Sequence, residues 1–322
     1  MALSLAQINR IASLATIPLM LLAILAFSRA AGREPEIPLP SEGTVVIASL
    51  RAESLTFHNF ATGRATTLAL PGPPHELLAL DARLYVTLGR ANLVAEVDPS
   101  GPAILRLLEL PGEPHGIASR DGLLLVTLDR ANALVTIDPR TFAEVSRQPT
   151  GETPHLVASG PTGVFVIDSR DDALRRIEPA PVTAPTGGLP EGLAIAGSTI
   201  ATADYFSGTV SLFDAGTLSA AGSISVGGGP VRVIAIGASH LAVATQVSPR
   251  LLVIDVASRE IERAIPVPAR PDGICPSPDG AHLAVVSNAE NSVTLLATES
   301  WRTAGALTAG DGPGACIWLP SR

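Results

Sequence analysis

PGEPHGIASRDGLLLVTLDRANALVTID (residues 111–138) places three short apolar runs behind a proline, with Gly, Asp and Asn between them. PGPPHELLALDARLYVTLGRANLVAEVD (71–98) carries the same pattern forty residues earlier, and GETPHLVAS (151–159) begins it again forty residues later. Three of the six histidines, His75, His115 and His155, therefore share one local setting. Two explanations compete: a site spread over a repeat, or the punctuation of the repeat itself.

Proline marks the phase of the whole chain. Pro74, Pro114, Pro154, Pro190, Pro230, Pro271 and Pro313 lie 40, 40, 36, 40, 41 and 42 residues apart. Each is followed by an apolar run, and a second comes about ten residues later, as in LYVTL, LLVTL and VFVID. A third run ends at an acid, as in LVTID and VSLFD, and a fourth, such as ILRLLEL (104–110), leads into the next cycle. Runs of this length, bounded by Gly, Pro, Asp and Asn, read as strands. Four strands per period of about 40 residues predict propeller blades. No stretch after residue 42 has a useful helical period.

The ends of the array predict how the ring closes. The last unit holds only a first strand, GACIWL (314–319). Residues 43–70 supply three strands without a first one: TVVIASL, SLTFHN and ATTLAL. Joined, they make one blade, so residues 43–322 are expected to form an all-β, seven-bladed propeller closed by the C-terminal strand. Closure removes the exposed sheet edges of an open array. The unit 154–189 is the shortest, and APVTAPTGG (180–188) lacks a clear fourth-strand pattern.

LYVTLGRANLVAEVD (84–98), LLVTLDRANALVTID (124–138) and LAVVSNAENSVTLLA (283–297) resemble the YVTN repeat. SGTVSLFDAGTLSAAGSISVGGGP (207–230) and GICPSPDGAHLAVVSN (273–288) are also similar to it. The resemblance covers most of residues 43–322. It implies a β-propeller of a family that is often extracytoplasmic, and no particular activity. PHGI (114–117) is also similar to the streptogramin lyase family, seven-bladed propellers with histidine and metal at the channel mouth. The second strands here, LYVTL and LLVTL, lack that family's tryptophan and glutamate. Lactonase propellers imply a calcium set of Glu, Asn and Asp, for which Glu191 and Asp272 are at hand.

In a propeller the first strand of each blade lines the channel. The residues after the prolines are then expected to ring its mouth: His75, His115, His155, Glu191, Val231, Asp272 and Gly314. The loops between second and third strands share that face. LRAE, GRAN, DRAN and SRDD put Arg51, Arg90, Arg130 and Arg170 at one recurring position. DYFS, QVSP and NAEN occupy the other loops, with Asp204, Tyr205, Phe206, Asn288 and Glu290, which predicts a more acidic sector. Imidazoles at the mouth suit a divalent metal held by His75, His115 and His155. The arginines, with the histidines, suit an anionic ligand, since guanidinium forks match carboxylate and phosphate. The plain alternative is that the histidines are copies left by blade duplication, each one only hydrogen-bonding a neighbouring blade's backbone.

The remaining features bound the biology. A net charge of −8 lacks the basic footprint of a nucleic-acid binder. All 22 basic residues are arginine, so lysine chemistry is excluded. Hydrophobic residues make up 46% but aromatics only 3%, so the core must be built from Val, Ile, Leu and Ala. Residues 1–30 carry Arg10, an uncharged run from Ile11 to Phe27 and small residues after it. This reads as a signal peptide or an N-terminal membrane anchor. Either one places the chain outside the cytoplasm, periplasmic or at the cell surface, with no other membrane contact. Residues 31–42 read as a Pro-rich linker.

Cys275 and Cys316 lie in the first strands of neighbouring blades. A disulfide would lock the closing strand, and an oxidising compartment permits one. Their positions, four and three residues after their prolines, point the side chains opposite ways, so two buried free thiols are expected instead.

No nucleophile-elbow, metalloprotease or phosphate-loop motif is present. The sequence therefore favours a monomeric binding or scaffold propeller with a protein partner or small anionic ligand at the mouth. A metal-dependent lyase or lactonase is the alternative. An accessory subunit of a periplasmic redox system is a third, its redox centre supplied by a partner because no heme-attachment motif is present.

Overall fold

Each blade is a sheet whose two faces are both apolar. In the computed structural model, which describes residues 37–321, every such face is covered by the next blade. The order is seven four-stranded antiparallel sheets. Blade 2 shows the pattern: β4 (Pro74–Leu80), β5 (Arg83–Leu88), β6 (Leu93–Asp98) and β7 (Ala103–Glu109) follow one another from the channel outward. The only helical element among the described residues is one turn at Gly89–Ala91. No helix among them is long and apolar enough to cross a membrane. The hydrophobic segment 1–30 and the first part of the linker lie outside the described residues.

The ring closes as the truncated units predict. β28 (Pro313–Leu319) pairs antiparallel with β1 (Thr44–Ser49), from Thr44↔Leu319 to Ala48↔Ala315. β2 (Ser54–Asn59) and β3 (Arg64–Ala69) complete blade 1. The shortest unit keeps its fourth strand, reduced to the four residues Val182–Pro185.

Between blades 1 and 2, Val46, Leu55, Leu84, Val86 and Leu88 are fully buried in one cluster. Each such side chain contributes about 1.5–3 kcal/mol by leaving water. Phe165 and Phe213 are the large aromatics that are fully buried. Aliphatic packing thus replaces aromatic packing, as the composition requires.

The repeated proline has a structural role. It starts each inner strand and is buried in all seven blades. A strand's first residue tolerates the missing N–H. Directly after it the register slips by one residue, for example between Pro74↔Leu88 and Leu77↔Val86, and between Pro114↔Leu128 and Ile117↔Val126. Such a bulge re-aims the side chains within it, here toward the channel mouth.

Cys275 and Cys316 form a disulfide, with Cα atoms 5.8 Å apart, contrary to the expected free thiols. The expectation compared the two cysteines as if one sheet contained both. Cys275 belongs to blade 7, in β24 (Pro271–Pro276), and Cys316 to blade 1. Neighbouring blades pack face to face, so side chains that point opposite ways within their own sheets meet between them. The bond closes a loop with a sequence separation of 41 residues at the seam of the ring. Loop-closure entropy makes its removal cost about 4 kcal/mol. Cys275→Ala/Cys316→Ala should therefore unfold at clearly lower denaturant than the parent. Alkylation of the unfolded, unreduced parent should label no cysteine, and two labelled thiols would contradict the bond.

Candidate functional site: the channel mouth and its rim

Seven bulges deliver six side chains and one glycine to one place. His75, His115, His155, Glu191, Val231, Asp272 and Gly314 all line a single cavity of about 140 Å³. The bulge leaves a backbone N–H without a ladder partner, and the threonine of the V-T pair takes it. Thr87 Oγ1 accepts from Glu76 N at 3.0 Å and donates to His115 O, one blade on, at 2.6 Å. Thr127 Oγ1 accepts from Gly116 N at 2.8 Å and donates to His155 O at 2.9 Å. The repeated threonine is therefore a latch between blades. Glycine at 116 is required by the same approach, because a Cβ there would meet His155 O at 2.6 Å.

The three histidine rings lie tilted against one another in a row along the mouth, at 44° and 32°. Ring centroids are 4.4 Å apart for His75–His115 and 4.0 Å for His115–His155. His115 Nδ1 donates to His155 O at 3.2 Å, which leaves Nε2 as the lone-pair nitrogen of the neutral ring. His155 Nε2 lies 3.0 Å from Glu191 Oε2 on the next blade. The three rings and Glu191 thus form a ladder across blades 2 to 5, and the histidine nitrogens are not gathered into one close ligand set. Among the described residues, three ligating atoms come within 4.8 Å of one another at His240, Asp255 and Glu262, at the far end of blade 6 from the mouth.

Two mouth residues were not foreseen. Glu76 and Arg232 sit one place beyond the ring position, where other blades carry Gly116, Leu156, Gly192, Gly273 and Ala315. Arg232 Nη2 meets Glu76 Oε1 at 2.8 Å and Asp272 Oδ1 at 3.4 Å, tying blade 6 to blades 2 and 7. Their exception to a small or apolar pattern was the available signal.

Burial first, then the neighbouring His155 and His75, holds His115 well below the usual histidine value. Burial likewise lowers His75. Burial also pulls on His155, but the hydrogen bond and charge of Glu191 outweigh it and leave that ring raised. Burial raises Asp272 despite the opposing charge of Arg232. The guanidinium of Arg232 is raised in turn, because Glu76 and Asp272 outweigh its own burial. The mouth is thus a set of mutually paired charges in which Glu76, Glu191 and Asp272 outnumber the one permanent cation.

The four arginines stand outside this cavity, on the rim. Arg51 is ion-paired with Asp311 at 2.9 Å and bonds Asn288. Arg130 is paired with Glu113 at 2.7 Å. Arg90 and Arg170 are exposed, and their side chains have no hydrogen-bond or ion-pair partner among the described residues. An open groove of about 470 Å³ separates Arg51 from Arg90. The structure therefore divides the predicted anion set into a cavity of histidines and a rim of arginines. Of the two acids expected in the other sector, Glu290 is exposed and Asp204 is not. Asp204 is fully buried, where it accepts from Thr202, Thr209 and Ser211. At the place of the arginines, blades 5 to 7 carry Phe206, Val247 and Ala289. One backbone hydrogen bond recurs there: Arg130 N to Gly112 O, Arg170 N to Glu152 O, Phe206 N to Gly188 O and Val247 N to Gly228 O.

No sequence-family model matches the chain, and no curated protein sequence does. Solved structures do match it. A functionally unknown protein from Desulfotomaculum acetoxidans superposes with TM-score 0.73 at 10% identity, covering 87% of this chain and 100% of that one. A putative 6-phosphogluconolactonase from Bacteroides fragilis gives 0.72 at 12%, covering 87% and 98%. Virginiamycin B lyase from Staphylococcus aureus gives 0.67 at 15%, covering 77% and 91%. At these identities the likeness shows the propeller fold alone.

The His155–Glu191 pair makes a pH prediction. The folded state raises His155, so the pair's contribution is complete below the unfolded histidine value of about 6.5. It fades as pH rises through the folded value. His115 acts in the opposite sense. Its folded value is depressed, so acidification below about 6.5 protonates the unfolded chain first and lowers stability. Imidazole proton NMR should find His155 titrating above the ordinary histidine value of about 6.5, and Glu191→Gln should move that midpoint down. An unmoved midpoint would show that Glu191 does not govern His155.

Proposed function

We propose that the protein is an exported binding module whose recognition surface is the rim around the channel mouth, where it holds the anionic groups of a partner or small ligand. The observation that carries this is the exposed guanidinium arc on four consecutive blades, with Arg90 and Arg170 uncommitted among the described residues. Exposed guanidinium groups suit carboxylate and phosphate. The cavity beneath does not compete for that role, because its carboxylates and cations pair with one another. The disulfide supports a location outside the cytoplasm, in agreement with the apolar segment 11–27. Lyase and lactonase readings receive no comparable support, since the histidine nitrogens form no close ligand set and the acids nearby are engaged.

Binding of poly-L-glutamate and of inorganic phosphate to the full chain tests this reading. Poly-L-glutamate should bind, with an affinity that falls as salt rises. Arg90→Ala/Arg170→Ala should weaken it by about tenfold, the scale of one lost charge-assisted contact or more. An affinity indifferent to both salt and these substitutions would remove the basis of the proposal.

A further inference from the structure

One rim position is arginine in blades 1 to 4 and apolar in blades 5 to 7, so the rim has two faces of different chemistry. Phe206 is 76% exposed and Val247 73%, the highest values among the exposed large hydrophobic residues. They belong to one patch. Tyr205 packs edge-on against Phe206 with ring centroids 5.8 Å apart. Tyr205 and Val247 also flank Gly229 from either side, each 3.0 Å from where a Cβ would stand. Gly227, Gly228 and Gly229 all have φ near 60°, a left-handed turn beneath the patch in which Gly229 is buried under Tyr205 and Val247. Exposed aromatic and aliphatic groups beside arginines are the composition of protein-binding surfaces. Arginine alone carries less weight here, because the chain has no lysine; the sorting by blade carries the argument.

We infer that the rim docks an acidic polypeptide segment that also presents an apolar side chain: its carboxylates on Arg90 and Arg170, its apolar group on Tyr205, Phe206 and Val247. This rests on the rim reading above and adds the class of partner. Arg90 and Arg170 stand two blades apart with blade 3 between them, and the apolar patch begins on the next blade. One small anion would engage one of the two free guanidinium groups. A segment with several acidic residues engages both and continues onto the patch. The acid-rich mouth inside the rim repels the same carboxylates, which keeps the segment on the rim and out of the channel.

Two synthetic 16-residue peptides of equal negative charge separate the elements. One alternates Glu with Ser, and the other replaces every second Ser with Leu or Phe. Fluorescence anisotropy with the full chain should show the apolar-bearing peptide bound at least tenfold more tightly. Phe206→Ser/Val247→Ser, both exposed positions, should erase that advantage without weakening the Ser peptide. Arg90→Glu/Arg170→Glu should weaken both peptides at least tenfold. If both peptides bind equally, or the advantage survives Phe206→Ser/Val247→Ser, the inference is overturned while the anion-binding reading stands. If neither peptide binds, both are overturned. Phosphatidylglycerol vesicles that bind more tightly than either peptide, and lose binding with Phe206→Ser, would reassign the face to a membrane and overturn the inference.

Discussion

Face-to-face packing of the blades is the constraint on which everything else depends. A four-stranded sheet built from Val, Leu, Ile and Ala buries neither face alone, so each blade is stable only between two others. The ring must therefore close, and the pairing of β28 with β1 closes it. Cys275–Cys316 then fastens the closing strand to the blade before it. The same packing decides which side chains meet. Between blades it is opposite faces that touch, which is why cysteines of opposite parity become partners.

At the channel the packing forces the inner strands together, and the bulge after each proline is where they touch. Thr87 and Thr127 satisfy the freed N–H groups and hold the next blade's carbonyl. The histidine ladder, the His155–Glu191 pair and the Arg232 bridge continue the same task with side chains. The histidines couple neighbouring blades, His115 by donating to His155 O. This leaves the rim, where nothing of the fold is at stake, free to vary by sector.

Much of this was legible in the residues. Period and phase led to the blades, the closure and the seven mouth residues, because those follow from local pattern. What failed to be legible is relational. Glu76 and Arg232 face each other across the channel, from blades 2 and 6, and no period connects them. The ladder of His75, His115 and His155 depends on ring orientations that the neighbours set. The split of arginines from histidines depends on how far a loop stands from the bulge beside it. Phe206 and Val247 were visible in the aligned loops, yet their meaning came from exposure.

The propeller divides its labour, with the mouth as frame and, on the reading proposed above, the rim as recognition surface. Paired measurements of stability and poly-L-glutamate affinity on Thr127→Val and His115→Ala test it most directly. Both variants should unfold at a lower midpoint, with about 1–3 kcal/mol lost for the orphaned polar groups at Thr127, and affinity should be unchanged. Affinity lost at undiminished stability would place recognition inside the channel and contradict it.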